Sequence, residues 1–463
     1  MKYISTRDKS KEFDFKQVFL KGLADDGGLF IPKNLKKFSE NEINERSNWS
    51  YTDLANRIIA PFVDDFISGK NLEELINKSY STFREKNVVK LIDVGDRKVL
   101  ELFHGPTLAF KDVAMQLLGN FYEYYLSKEE DKINIVVATS GDTGAAAIEA
   151  IRGKRNINIF VLHPHNRVSP VQRKLMTTVK DDNVHNIAIN GNFDDCQNLV
   201  KSMFADHNYA KSIKMSGVNS INWARIIAQS VYYFYSYLLV NNNNKGPVNF
   251  SVPTGNFGDV YAGYLAKKMG LPIGKLIVAT NQNDILHRAI SLGQYYSEKV
   301  QETNSPSMDI QIASNFERLI FDLNNQDDQE TSKIMEKIKT EKKFDLDDSK
   351  LNKIRENFSS SSATEQKVIS LIKEVYEKYK ETLDPHTAIG YGGFDDVKLE
   401  GTNIVLSTAH PCKFPDAIFS AINIKPDLPD ELKYISKEKE NFDLLDNDID
   451  IVKQHIKEKI QWN

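Results

Sequence analysis

The chain has 463 residues, of which 41% are hydrophobic and 27% charged, and a formal net charge of −4. That length accommodates two or three domains with a sizeable core, and that charge leaves no electrostatic footprint for nucleic acid or an anionic membrane surface. The only cysteines, Cys196 and Cys412, stand far apart without metal-ligand spacing. This argues against a disulfide framework or a zinc site and fits a reducing, cytoplasmic compartment. No secretory apolar core follows Met1, and the longest apolar run, near 231–240, is too short and too rich in tyrosine to span a bilayer.

In chain order, residues 1–94 read as helical segments and loops, with helical periodicity at 51–67 and 72–83 and a turn at Asp25-Asp26-Gly27-Gly28. They are expected to form a helical N-terminal accessory domain. Beyond them a Gly105-Pro106 turn leads to Lys111, after which Val113, Leu117, Leu118, Phe121 and Tyr125 recur at helical spacing. Apolar strands are expected at 133–138, 158–162, 185–189, 248–252, 276–279 and 404–407, alternating with helices that include 199–204 and a long one within 219–240. Repeated βα units predict an α/β fold with parallel sheets and right-handed crossovers. Residues 290–381 break the rhythm; their charge and the polar run 359–362 suggest a helical insertion with solvated faces. The expected organisation is a large α/β domain from 95–130 and 245–425, a small α/β domain at 131–244, and a helical tail at 426–463.

Four stretches bear on chemistry. Lys111 stands at the start of its helix, where the macrodipole disfavours a second positive charge. With Phe110 beside it, the neutral amine needed for imine chemistry is favoured; a surface lysine is the alternative. Gly255-Asn256-Phe257-Gly258-Asp259 joins a strand to a helix. Its glycines can present backbone N–H groups to an anion, and with no Walker lysine or G-x-G-x-x-G it suits a permanently held phosphate better than a nucleotide; a plain turn is the alternative. Thr139-Ser140-Gly141-Asp142-Thr143-Gly144 is a second such turn, able to receive a carboxylate. Its Asp-Thr-Gly has no second copy and no all-β context, so an aspartic protease is set aside. Asn219-Ser220-Ile221-Asn222-Trp223-Ala224-Arg225 brings amides and an arginine suited to a phosphate, or else a helix cap and a surface arginine. His386 and His410 lie beside prolines without paired ligand spacing and are read as structural, not metal-binding. A lysine for an imine, a backbone phosphate cup and a carboxylate-binding turn together are what pyridoxal phosphate requires.

On these motifs the sequence resembles the threonine synthase family, fold-type-II pyridoxal-phosphate enzymes, in its longer branch with an extra N-terminal domain. The resemblance runs through Gly27-Gly28-Leu29-Phe30, residues 104–112 and 139–144, and Gly191-Asn192-Phe193-Asp194-Asp195-Cys196-Gln197. It continues through residues 219–225 and 255–259, Asp384-Pro385-His386-Thr387-Ala388 and Ser407-Thr408-Ala409-His410-Pro411. It implies a tryptophan synthase β-like fold, with two parallel-sheet α/β domains and the accessory domain. Lys111 would form the imine with the cofactor and shuttle protons. Phe110, Gly255, Asn256, Phe257, Gly258 and Asp259 would line the cofactor site, the 255–258 loop holding its phosphate, and Thr408 would face the pyridine nitrogen. Ser140, Gly141, Asp142 and Thr143 would receive the substrate carboxylate and border the ring, while Asn219 and Arg225 would bind the substrate's phosphate. Asp142 departs from shorter relatives, which carry asparagine there, so its contact stays open. Cys412 replaces a residue expected to be small. The implied reaction converts O-phospho-L-homoserine and water into L-threonine and phosphate, in a monomer or homodimer with no nucleic-acid or membrane partner. A threonine or serine dehydratase and a catalytically silent paralogue are the rival readings.

Overall fold

The structure, a computed structural model, describes residues 1–45, 48–241 and 246–460. Two sheets organise it. The larger runs in the order Phe358–Ser362, Ile273–Thr280, Val248–Pro253, Thr402–Ser407, Arg97–Glu101, Lys90–Val94. Its neighbours are parallel except for the last pair, an antiparallel hairpin pairing Ile92 with Val99. The smaller is wholly parallel, in the order Asp443–Asp446, Val184–Asn190, Ile157–Pro164, Ile133–Ala138, Met215–Ser216. Ile157–Pro164 is buried along its whole length, the pattern of a parallel strand covered on both faces.

The Trp223–Asn241 helix lies at the centre. It is buried on every side, as a helix apolar all round must be, and packs against the helices Tyr51–Val63, Lys111–Glu129 and Gly258–Lys268. Its start is pinned by Asn222, whose side chain accepts from Ala224 N–H at 3.0 Å and donates to the Phe19 carbonyl at 2.8 Å. A second close packing matters for the site. A Cβ on Gly119 would run into the Ala150 carbonyl oxygen, so the helices Lys111–Glu129 and Asp142–Ile151 touch backbone to backbone. Each carries a charged site residue at its first position.

Four parts of the expected organisation differ. Position 94 falls inside the hairpin that joins Lys90–Val94 to Arg97–Glu101 through Gly95 at φ +68°, so the large sheet begins before it. Residues 1–94 also contain the antiparallel pair Tyr3–Ser5 and Phe30–Pro32, and their aromatic residues join one core with the central helix, Tyr3 meeting Trp223 edge-on at 6.2 Å. The central helix, assigned from sequence to 131–244, thus packs with the large body, because its apolar surface is too wide for one neighbour to cover. The boundary at 244–245 lies outside the described residues.

The charged stretch 290–381 is mostly helical, but its polar run is an edge strand, Phe358–Ser362, with Ser361 buried and parallel to Ala279. Small hydroxyl side chains fit there without an apolar run to announce them. Likewise the tail is not only helical: Asp443–Asp446 extends the smaller sheet alongside Ile187–Asn190. Val452 and Ile456 of the following helix pack on Cys196, Leu199 and Met203. Two leucines between aspartates give too short a period to read as a strand. The last residues of the tail, 461–463, lie outside the described residues.

Candidate active site

Lys111 is the first residue of its helix, and Phe110 before it supplies no side-chain cap. The approach is a tight turn in which Leu108 takes φ +61°. Asp112 holds that turn, its carboxylate accepting from Thr107 N–H at 2.8 Å and the Thr107 hydroxyl at 2.6 Å. Burial pushes the Asp112 pKa up to about 6 even against these donors. The segment that follows the strand Thr402–Ser407 clasps the turn from the other side: Phe110 N–H donates to the Thr408 carbonyl at 2.8 Å and His410 N–H to the Leu108 carbonyl at 3.0 Å. Lys111 is therefore fixed from both flanks, and its Nζ lies 4.9 Å from the Phe110 ring centre. Burial lowers the pKa of its amine. Asp142 opposes that effect, and Lys413 and Arg225 add to it. The lowering read from the helix dipole thus has burial as its main cause.

Asp142 begins the helix that follows the Thr139–Gly144 turn. Thr139 Oγ1 shapes the turn by accepting from the N–H groups of Gly141 and Gly144, both at 2.9 Å. The Asp142 carboxylate meets Lys111 Nζ at 3.3 Å, accepts from Gln172 Nε2 at 2.7 Å and pairs with Lys413 Nζ. Burial would raise its pKa, but the two ammonium groups and the hydrogen bonds overcome this and hold it well below the usual carboxylate range. An ionised carboxylate between two lysines cannot itself receive a substrate carboxylate. That role, assigned from sequence to Ser140, Gly141, Asp142 and Thr143, is left at Asp142 to its backbone only. Ser140 and Thr143 are half-buried at this helix N-terminus.

The Gly255–Asp259 loop packs on the segment Pro306–Met308. A Cβ on Gly255 would run into the Ser307 carbonyl oxygen, while Ser307 Oγ lies 3.4 Å from Lys111 Nζ. The lysine and the anion loop are thus joined through one residue. Phe257 holds φ +64° at the helix cap, a conformation few non-glycine residues adopt, with its ring anchored edge-on to Phe316 at 5.2 Å. Asn315 donates from its backbone and side chain to the Asn256 carbonyl at 3.1 and 3.0 Å. Fully buried Arg318 bonds Asn315 Oδ1, the Phe30 carbonyl and, at 2.7 Å, the Ile221 carbonyl. Gly255→Ala is expected to shift the loop from Ser307 and weaken retention of a bound phosphate-bearing cofactor by roughly tenfold or more, measured by equilibrium dialysis against the unaltered protein.

Asp259 differs from its expected role. Its carboxylate takes hydrogen bonds at Oδ1 from Tyr232 and, at 3.0 Å, from Tyr233 of the central helix, so its side chain braces the loop while Oδ2 has no partner among the described residues. Burial raises its pKa to about 6, and the tyrosine donors pull against that. Arg225 is 4% exposed, and its Nε and Nη1 have no hydrogen-bond partner among the described residues. Burial lowers its pKa to about 10. A buried guanidinium with two free donors has the chemistry to bind an anion. Asn219 is exposed, its side chain close to Gly22, so Arg225 and Asn219 are placed differently. Thr408 is buried where the strand Thr402–Ser407 ends. His410 is structural, its Nδ1 accepting from Cys412 N–H at 3.2 Å, and His386 Nδ1 lies 2.9 Å from Asp384.

Lys413, Gln172, Ser307, Asn315 and Arg318 were missed from sequence. None stands in a glycine-rich turn or at a helix start beside one, so no local signal marks them. A primary amine on a helix start, a glycine cradle that a Cβ would fill and an unpartnered arginine fit pyridoxal phosphate and a phosphorylated substrate.

Comparison with known proteins agrees. A family model described as "Pyridoxal-phosphate dependent enzyme" matches residues 99–407, and with the parallel sheets and the lysine site it defines a fold-type-II pyridoxal-phosphate enzyme. Models described as "Threonine synthase N terminus" and "Threonine synthase, C-terminal" match residues 2–80 and 387–456. Threonine synthase from Pseudomonas aeruginosa is 46% identical over 97% of this chain and 96% of its own. A crystal structure of PLP-bound threonine synthase from Brucella melitensis has a TM-score of 0.96 at 45% identity, covering 99% of both chains. That of the yeast enzyme has a TM-score of 0.93 at 41% identity, covering 99% of this chain and 98% of its own. The chain belongs to the threonine synthase family.

Proposed function

We propose that this chain converts O-phospho-L-homoserine and water into L-threonine and phosphate with pyridoxal phosphate as cofactor, and that its residues divide the work as follows. When bound, the cofactor supplies the electron sink that acidifies the substrate's Cα proton. Lys111 anchors the cofactor and, once its amine is free, holds the proton taken from Cα and moves one at Cβ. Its lowered pKa, caused first by burial, makes the basic amine more accessible than in an exposed lysine. The N–H groups of the 255–258 loop hold the cofactor phosphate. Ser140, Gly141 and Thr143 receive the substrate carboxylate at a helix N-terminus, and Thr408 faces the pyridine nitrogen. Arg225 binds the phosphate that leaves from Cγ. The surrounding burial would keep bulk water from the site until phosphate has left Cγ; one water then adds its oxygen at Cβ, and protons are returned at Cγ and Cα to give threonine.

The observation that carries the reading is the pair of unpartnered Arg225 nitrogens within electrostatic reach of Lys111. A dehydratase acting on free threonine has no use for a second buried phosphate site. Both cysteines are free and buried, in keeping with a reducing cytoplasm, and among the described residues no helix is long and apolar enough to cross a membrane. The test is to incubate the cofactor-loaded protein with O-phospho-L-homoserine and assay both products. Phosphate and threonine should appear in equal amounts. A 2-oxo acid from threonine, with no phosphate released from the ester, would establish the dehydratase instead, and a bound cofactor with neither product would establish the silent paralogue.

A further inference from the structure

Lysine is among the residue types least often fully buried, yet Lys413 is 0% exposed. It lies in a short 3₁₀ turn, Pro411–Lys413, that follows the strand Thr402–Ser407. Its Nζ donates to the Thr107 carbonyl at 2.9 Å and pairs with the Asp142 carboxylate. Ser169 Oγ lies 3.1 Å from the Lys413 carbonyl and 2.9 Å from Gln172 Oε1, one hydroxyl proton serving the two acceptors, and Gln172 Nε2 donates in turn to Asp142. The ammonium, the carboxylate and the amide are thus held as one unit, whose other end is Lys111 Nζ, 3.3 Å from Asp142.

We infer that Lys413 is a positioning residue for the reaction: its buried ammonium engages the Asp142 carboxylate, which limits how firmly that carboxylate retains a proton on Lys111. The inference rests on Lys111 being the cofactor-bearing, proton-moving residue. Its logic is electrostatic. One negative charge faces two positive ones. If Asp142 served Lys111 alone, an opposite charge at salt-bridge distance in a buried site would favour the ammonium form of Lys111, the form that cannot take a proton from Cα. With Lys413 on the same carboxylate, Asp142 orients the Lys111 amine while its charge is already largely balanced. The other charged groups facing Lys111 are Arg225 from the central helix and Asp259 from the anion loop. Asp112, bonded to Thr107, is a second carboxylate within reach of Lys413. Gln172 and Ser307 are neutral and reinforce geometry without altering the balance.

A purely structural lysine would influence stability and rate but not the pH at which Lys111 titrates, and the experiment turns on that difference. Cofactor-loaded Lys413→Met and Lys413→Arg are compared with the unaltered enzyme by two readouts: the pH midpoint of the visible absorption change of the bound cofactor, and the acid limb of kcat for phosphate release. Removing a positive charge favours protonation at Lys111, so in Lys413→Met both midpoints should move to higher pH by about one unit, a tenfold change in proton affinity. Lys413→Arg keeps the charge and should leave both midpoints near those of the unaltered enzyme. Should Lys413→Met fail to fold, Asp142→Asn with Lys413→Met removes the pair together; because Lys413 acts through that carboxylate, its midpoint should then lie close to that of Asp142→Asn alone, and a rise of about one unit over Asp142→Asn would overturn the inference. A slower Lys413→Met with unmoved midpoints would overturn the inference, as would Lys413→Arg shifting as far as Lys413→Met. Loss of the unaltered enzyme's own Lys111-dependent band would instead overturn the reading beneath it.

Discussion

Lys111→Ala is expected to remove the visible band of the bound cofactor and to lower turnover of O-phospho-L-homoserine by about 10³-fold or more, because the anchoring group and the base are lost together. The fold should survive. Asp142 keeps Lys413 and Gln172 as partners, so removing the Lys111 ammonium strands no buried charge. Lys111→Arg separates charge from chemistry. It restores a cation beside Phe110 and Asp142, but a guanidinium neither forms the imine nor gives up its proton in the working range, so activity should remain absent. In the unaltered enzyme the acid limb of the rate reports the group whose pKa burial lowers. Turnover should rise with pH through a midpoint below the ordinary lysine range, since the basic amine accumulates as pH increases. Absorption spectra and a phosphate-release assay across pH decide all three points, and a Lys111→Ala variant that kept both the band and the rate would refute the assignment.

Arg225→Met should produce the second large effect, with opposite signs on function and stability. Two charge-assisted hydrogen bonds to the substrate phosphate are lost, so kcat/KM for O-phospho-L-homoserine should fall by about 100-fold, or ~3 kcal/mol. The cofactor band should be unchanged, and any slow dehydration of free threonine barely altered. Without substrate the variant should be more stable than the unaltered protein by about 2 kcal/mol, because an apolar side chain replaces a buried cation whose Nε and Nη1 lack partners. Inorganic phosphate should raise the unfolding temperature of the unaltered protein and leave that of Arg225→Met where it is. Equal losses on the phosphorylated and free substrates would remove the phosphate role. Calorimetry with and without phosphate, alongside kinetics on both substrates, measures each part.

The sequence by itself determined what short-range chemistry can write. Helical spacing after Lys111, the glycines of Gly255 and Gly258, the hydroxyl-lined turn at Thr139–Gly144 and the apolar strands of the two sheets all follow from neighbours within a few residues. Each is found in place. Their combination pointed to a cofactor and a phosphorylated substrate before any distance was known. Tertiary structure decided which side chains meet. Asp142 reads locally as part of an anion-receiving turn, but the fold brings Lys413 against it from the far end of the chain and makes it a counter-ion. Asp259 reads as part of a phosphate loop, but the central helix turns its carboxylate toward Tyr232 and Tyr233. The strands Phe358–Ser362 and Asp443–Asp446 carry too little apolar pattern to be seen alone and exist because a sheet edge offers them hydrogen bonds. Arg225 reads equally as a surface arginine, and only its burial on the central helix leaves its Nε and Nη1 without a partner among the described residues. Local periodicity and turn residues specify backbone conformation; a charge's partner, its desolvation and hence its pKa depend on contacts between residues distant in sequence, which no local pattern encodes.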